Sequence, residues 1–171
     1  MKRLFIVVLL CVLVPSAYGL TLAYENLSGE NLSGHDLSGR DLTLANLSEA
    51  NLTGANLTRA NFTGAKLHGA ILTAAILYQV ILINADMTNA TIKEDDLGQA
   101  FLCNTKTIDG TVSGCDFSGK DIRGKNLSET DLSGANLTGA DLTGANLKYA
   151  DLTGANLSEA NLTGVFLNEA E

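Results

Sequence analysis

Tryptophan is absent, proline occurs once, at Pro15, and aromatic residues make up only 5% of the 171-residue chain. A core of large rings is therefore excluded. Burial must come from many mid-sized aliphatic side chains, each contributing about 1.5–3 kcal/mol when fully buried. Histidine is limited to His35 and His68, and no Ser-His-Asp arrangement can be assembled around either. Basic residues are outnumbered, 11 against 19 acids, for a formal net charge of −8. That balance disfavours nucleic acid and anionic membrane surfaces as partners. The acids are spread along the chain rather than run together, so their plainest role is solubility.

Long apolar runs are missing too, except at the start. Lys2 and Arg3 form a short basic stretch, Leu4 to Val14 is uninterrupted and apolar, and Ala17-Tyr18-Gly19 offers small residues at the two cleavage-defining positions. Residues 1–19 read as a secretory signal peptide cut after Gly19. A membrane anchor needs about 20 apolar residues, and this run is too short. Cys11 is a poor lipidation site, because Leu10 stands where a small residue belongs. Loss of Lys2 and Arg3 with the leader makes the mature chain still more acidic. The expected destination is a periplasm, the extracellular medium or, in a photosynthetic source, a thylakoid lumen.

What the chain has in abundance is a five-residue unit. From Leu27 to Leu167 every fifth residue is Leu, Ile, Met, Phe or Val, with Thr107 the one exception. The residue two before this centre is usually Ala, as at 45, 50, 55, 60, 65, 70, 75 and from 135 to 160. Asn or Asp mostly precedes the centre, Ser or Thr mostly follows it, and Gly often closes the unit. One bulky and one small inward column with three polar outward positions fits neither the helical period of 3.6 nor the strand period of 2. Self-similarity at a short fixed period indicates a solenoid, in which each unit buries its apolar side by stacking on its neighbours.

Units such as Ala135-Asn136-Leu137-Thr138-Gly139 and Ala50-Asn51-Leu52-Thr53-Gly54 resemble the pentapeptide-repeat family, and the likeness covers residues 25 to 167. It implies an all-β fold, a right-handed quadrilateral parallel β-helix with four units per coil. The central Leu and the Ala two before it would point inward, and residues 20 apart would stack. The expected organisation is a first repeat block over 20–102, an inserted loop over 103–114 and a second block over 115–171, continuous with the first.

Departures from the unit mark candidate sites. Glu25, Glu30, His35 and Arg40 occupy the small inward position of the first four units, as the polar end of a solenoid requires. A metal or catalytic site at Glu30 and His35 lacks further ligands, since metal sites want three or four convergent donors. The second block opens in parallel fashion with Cys115, Lys120, Lys125 and Thr130. Ile71, Ile76 and Ile81 replace Asn or Asp, and Tyr78 and Ile83 replace Ser or Thr. Phe101 lies 20 residues after Ile81. By the stacking rule these residues form an apolar belt, either an interaction patch or a face covered by the chain's own loop. Phe166, again at an Asn/Asp position, marks an end-to-end contact in a homodimer.

Cys103 and Cys115 bracket the loop and are the only cysteines left after leader removal. In an exported chain an even pair flanking a loop reads as a disulfide. Two ligands do not make a zinc site, and no His accompanies the pair for thiol catalysis. The Cys-Asn-Thr…Asp-Gly…Cys loop is also similar to one in some exported family members. The Asn-Leu-Ser/Thr sequons are a by-product of the repeat.

Function follows less directly. The expectation is a non-enzymatic exported scaffold, structural or protein-binding, with no cofactor, no metal, no nucleic acid and no membrane contact once the leader is gone. The family resemblance implies an alternative, an acidic rod that mimics duplex DNA and binds DNA gyrase; the leader argues against it. An enzyme would have only the Glu30/His35 region to work with, which offers no nucleophile–base pair.

Overall fold

Each unit folds the same way because its residue types solve the backbone problem locally. The computed structural model describes residues 21–171, so the leader assigned to residues 1–19 lies outside the described residues. The Asn or Asp before each centre accepts a hydrogen bond from the N–H two residues on, as from Ser28 to Asn26 Oδ1 at 3.2 Å and from Thr43 to Asp41 Oδ1 at 3.0 Å. The hydroxyl of the same Ser or Thr often donates to the same oxygen, at 2.8 Å for Ser28. These Asx turns bend the chain. A second bond, from the N–H of the small residue to the carbonyl of the preceding centre, closes the corner, as in Ala55 to Leu52 at 3.0 Å.

The residue at the third place of that corner has positive φ whether or not it is glycine: 65° at Gly54 and 57° at Leu44. Such a turn requires φ > 0 there, which explains the glycine column and makes each non-glycine occupant a source of about 1 kcal/mol of strain.

Between corners, one residue per unit pairs in parallel with the residue 20 later: Asn26 with Asn46, Asn46 with Lys66, Asn136 with Asn156. The bonds interlock, Asn46 N–H to the Glu25 carbonyl at 2.9 Å and Leu27 N–H to the Asn46 carbonyl at 2.7 Å. Four bridge positions recur in each 20-residue coil, so the four-sided parallel register follows from the bonding itself. The bridges are isolated rather than grouped into long strands, because a turn intervenes after every pair.

Both inward columns are buried. Leu42, Leu47, Leu52 and Leu57 are sealed in one unit, and Leu132, Leu137, Leu142 and Leu147 in the other, with Ala45, Ala50, Ala135 and Ala140 filling the second column. The small residue is what lets successive coils sit at ladder distance while Leu fills the interior. Side chains of the last coil are less covered, and Leu162 and Leu167 are exposed. In the first coil Glu25 is exposed and His35 half-buried, but Arg40 is buried. The polar end expected there is therefore exposed only in part, since the inward position of the fourth unit is buried.

Two compact units emerge. One takes the chain through Phe101 and then Thr105–Val112; the other takes Leu102–Asn104 and Ser113–Glu171. The segment read as an inserted loop is therefore divided between them. Within the first unit, Lys106 continues the ladder below Asp86 and also pairs antiparallel with Val112. Thr105, buried at the inward position, donates its hydroxyl to the Leu82 carbonyl at 2.6 Å. Asp109 then tightens the hairpin tip, accepting from Thr111 N–H and from the hydroxyls of Thr107 and Thr111.

The sequence pointed to a single interruption, beginning at Cys103. The structure places an earlier one at Glu94–Leu97, a 3-10 turn. There the corner chemistry is gone: Lys93-Glu94-Asp95-Asp96 supplies neither the Ser/Thr nor the Gly of a regular unit. Ile92 and Leu97 keep the five-residue spacing but are only half-buried, so the apolar period hid the change.

Candidate functional site

The apolar belt splits in two. Ile71 and Ile76 are 40% and 53% exposed and Tyr78 is 48% exposed, whereas Ile81, Ile83 and Phe101 are buried. Ile81 and Phe101 bridge in parallel, with Phe101 N–H bonded to the Val80 carbonyl and Leu82 N–H to the Phe101 carbonyl. Ile81 and Phe101 are thus ladder neighbours on successive coils of the first unit, and both are buried. Ile81, Ile83 and Phe101 are removed from the surface patch expected of them, and Ile71, Ile76 and Tyr78 remain.

Ile76 and Tyr78 flank buried Leu77 on one face, in the columns Asp36–Asn56–Ile76 and Ser38–Thr58–Tyr78; Ile71 belongs to the neighbouring face, below Asn31 and Asn51. The corner beside Tyr78 carries Arg59 above Gln79 where glycine is usual. Arg59 Nε donates to Gln79 Oε1 at 3.0 Å, and Gln79 Nε2 reaches the Tyr78 hydroxyl at 3.5 Å. The result is a small apolar surface edged by an ordered polar corner. Arg59 and Gln79 were not singled out from the sequence, although both break the glycine rule 20 residues apart.

Elsewhere the outward faces satisfy themselves. Amide side chains bond up the columns, Asn46 Nδ2 to Asn26 Oδ1 at 3.2 Å and Asn136 Nδ2 to Asp116 Oδ1 at 3.1 Å. Arg123 grips both oxygens of Asp121 at 2.8 Å and approaches Asp141 at 3.7 Å. Donation from the following Ser or Thr holds the carboxyls of Asp36, Asp86, Asp116, Asp141 and Asp151 below the ordinary value. Asp109, with three such donors, is lowered to about 2. These acids are occupied as turn formers, the opposite of a carboxyl poised for proton transfer.

Cys103 and Cys115 form a disulfide with Cα atoms 4.2 Å apart. Both belong to the second unit, where Cys103 lies within 3.6 Å of the Asp131 carbonyl. Glu30 and His35 show no constellation around them: His35 Nδ1 lies 3.1 Å from the Ser33 carbonyl, which fits a local N–H donor. Among the described residues no group of three or more His, Cys, Asp or Glu side chains could hold a metal ion. Phe166 is 58% exposed, with its backbone in the ladder beside Asn146.

Comparison with a family model agrees with the repeat. The family model for pentapeptide repeats, an array of 8 copies, matches residues 26–59, 41–79, 55–93, 113–148 and 126–164. No curated protein matches the chain. Similar solved structures include HetL, a pentapeptide repeat protein involved in heterocyst differentiation regulation in the cyanobacterium Nostoc sp. strain PCC 7120. It is 30% identical, with 90% of this chain and 76% of HetL covered and a TM-score of 0.41. A pentapeptide repeat protein of the Arabidopsis thaliana thylakoid lumen is 25% identical over 84% of this chain and 69% of its own, with a TM-score of 0.40. Full-length QnrB1, a plasmid-mediated fluoroquinolone resistance protein, is 19% identical over 90% and 91%, with a TM-score of 0.33. With the repeat matched over most of its length and the 20-residue register present in the bonding, the chain belongs to the pentapeptide-repeat family.

Proposed function

We propose that this chain is a non-enzymatic, exported scaffold that binds a protein partner through Ile71, Ile76 and Tyr78. The observation that carries the reading is the exposure of these three side chains at positions where the repeat otherwise places self-satisfied Asn, Asp, Ser or Thr. Ile76 and Tyr78 share one face and Ile71 stands on the next; apolar surface across two adjoining, otherwise polar and internally bonded faces favours an interface. The right-handed winding of the coils is taken from the family. Export is supported by the leader-like residues 1–19 and by the disulfide, which persists in oxidising compartments.

The test uses the mature protein as bait against the exported fraction of its source. Capture of a specific partner that Ile76→Asp and Tyr78→Asp abolish, with melting temperature unchanged, supports the reading. A partner retained by both variants contradicts it. The negative charge favours one second reading, the acidic rod that engages DNA gyrase. Fractionation decides it, because only a cytoplasmic protein that inhibits supercoiling fits that role.

A further inference from the structure

A separate surface, in the second unit, departs from the repeat just as sharply. Below Asn126 and Asn146 in one bridged column stands Phe166, more than half exposed. Along the same face Lys148 and Asn168 occupy the Ser/Thr positions, and Tyr149 and Glu169 occupy successive corners where glycine is usual. Asn146, Lys148, Phe166, Asn168 and Glu169 line a shallow, open depression of about 500 Å³. Five substitutions on two adjacent coils, all on one face, are more than scattered surface variation.

The groups are held in place. Phe166 N–H bonds to the Ala145 carbonyl at 3.0 Å and its carbonyl accepts from Leu147 N–H at 2.9 Å, so the ladder fixes the backbone beneath the ring. Asn146 Nδ2 donates to Asn126 Oδ1 at 2.9 Å, and Asn146 Oδ1 accepts from Lys148 N–H at 3.1 Å. Lys148 Nζ sits 4.6 Å from the centre of the Tyr149 ring, and the Tyr149 hydroxyl reaches Glu169 Oε1 at 3.5 Å. The cation is thus drawn to the corner, and the carboxylate is steadied beside the depression.

We propose that this face binds a neutral saccharide. One pyranose ring would stack on Phe166 while its hydroxyls bond to the side chains of Asn146, Asn168 and Glu169. The negative face of an aromatic ring attracts the partly positive C–H groups that line one side of a pyranose. Amides that both donate and accept, beside an acceptor-only carboxylate, match hydroxyl groups, which do both. A purely apolar ligand would strip water from these groups and return no hydrogen bonds. A polyanion would face Glu169 on a chain of net charge −8, which repels it. The open shape leaves much of the ligand in water, so binding is weak, with Kd on the order of 1 mM.

The experiment is an NMR titration of the purified chain with cellotetraose, chitotetraose, xylotetraose and maltotetraose. At least one should produce saturable shifts at residues 146–149 and 166–169. Phe166→Ala should weaken that binding about tenfold and Phe166→Trp should preserve it, with melting temperatures unchanged. Asn168→Ala reports the polar side of the site without touching the ring. The proposal is overturned if none of the four sugars shifts these residues at millimolar concentration, or if Phe166→Ala binds as well as the parent. It is also overturned if Phe166 instead mediates a concentration-dependent dimer that no sugar competes with. Failure here leaves the Ile76–Tyr78 surface untouched, because the two stand on different units.

Discussion

Ile76 and Ile81 occupy the same place in successive units, and aspartate substitution should separate them cleanly. Their backbone bonds are equivalent: Ile76 N–H to the Ala55 carbonyl at 2.9 Å, and Ile81 N–H to the Ala60 carbonyl at 3.0 Å. Aspartate is a normal occupant of this position elsewhere, so the turn and the ladder accept it. Side-chain burial differs, with Ile76 at 53% exposure and Ile81 at 2%, and Ile81 also bridges onward to Phe101. Ile81→Asp forfeits about 1.5–3 kcal/mol of apolar burial. It also places a carboxyl at a buried position, adding about 1–3 kcal/mol for a buried polar group left without partners. The sum, roughly 2.5–6 kcal/mol, is a large part of a small domain's stability. Ile76→Asp should change stability by no more than about 0.5 kcal/mol, as exposed substitutions do. Urea unfolding followed by circular dichroism measures both. Equal losses for the two variants, or a stable Ile81→Asp protein, would refute the assignment of the two isoleucines to interior and surface.

Further outcomes follow from the corners and the crosslink. Reducing the Cys103–Cys115 bridge, or replacing both residues by serine, should cost roughly 3 kcal/mol in the chain-entropy view; unchanged unfolding midpoints with and without reductant would contradict it. Gly54→Ala should destabilise by about 1 kcal/mol, because its Cβ meets no neighbour but its φ is +65° and L-residues resist that region; calorimetry comparing it with Ala74→Gly, at φ 58°, checks the sign. Acid should weaken the fold. The carboxyls of Asp36, Asp86, Asp116, Asp141 and Asp151 lie below their ordinary 3.8 when folded, and Asp109 lies at about 2, so their contribution is complete above 3.8 and is lost as pH falls towards 2. Asp109→Asn keeps the acceptor oxygen and should flatten part of that loss in a pH series of melting curves.

Much of the architecture was legible because the repeat writes each structural role at a fixed offset. The centre leucines, the alanine column and the glycine corners each fell where spacing put them, since every unit closes its own hydrogen bonds before it stacks. The site was less legible. Ile71, Ile76 and Tyr78 look the same in sequence as Ile81 and Ile83, yet the first three are exposed and the last two buried; a period of five residues does not carry that difference. The 3-10 turn at Glu94–Leu97 escaped notice because Ile92 and Leu97 preserve the apolar period while the polar residues between them lose the turn chemistry. Arg59, Gln79, Tyr149 and Glu169 were available to the same 20-residue rule, as paired exceptions to the corner glycine, and would have flagged both surfaces.

Everything above rests on neighbours in space being 20 residues apart in sequence, and couplings transmitted through hydrogen bonds test that directly. An NMR experiment correlating amide nitrogens with carbonyl carbons should link Leu137 to Asn156, and Asn156 back to Ala135, the pairs whose bonds are both 2.8 Å. Correlations at any other separation, or their absence from well-resolved amides in this stretch, would contradict the four-unit coil.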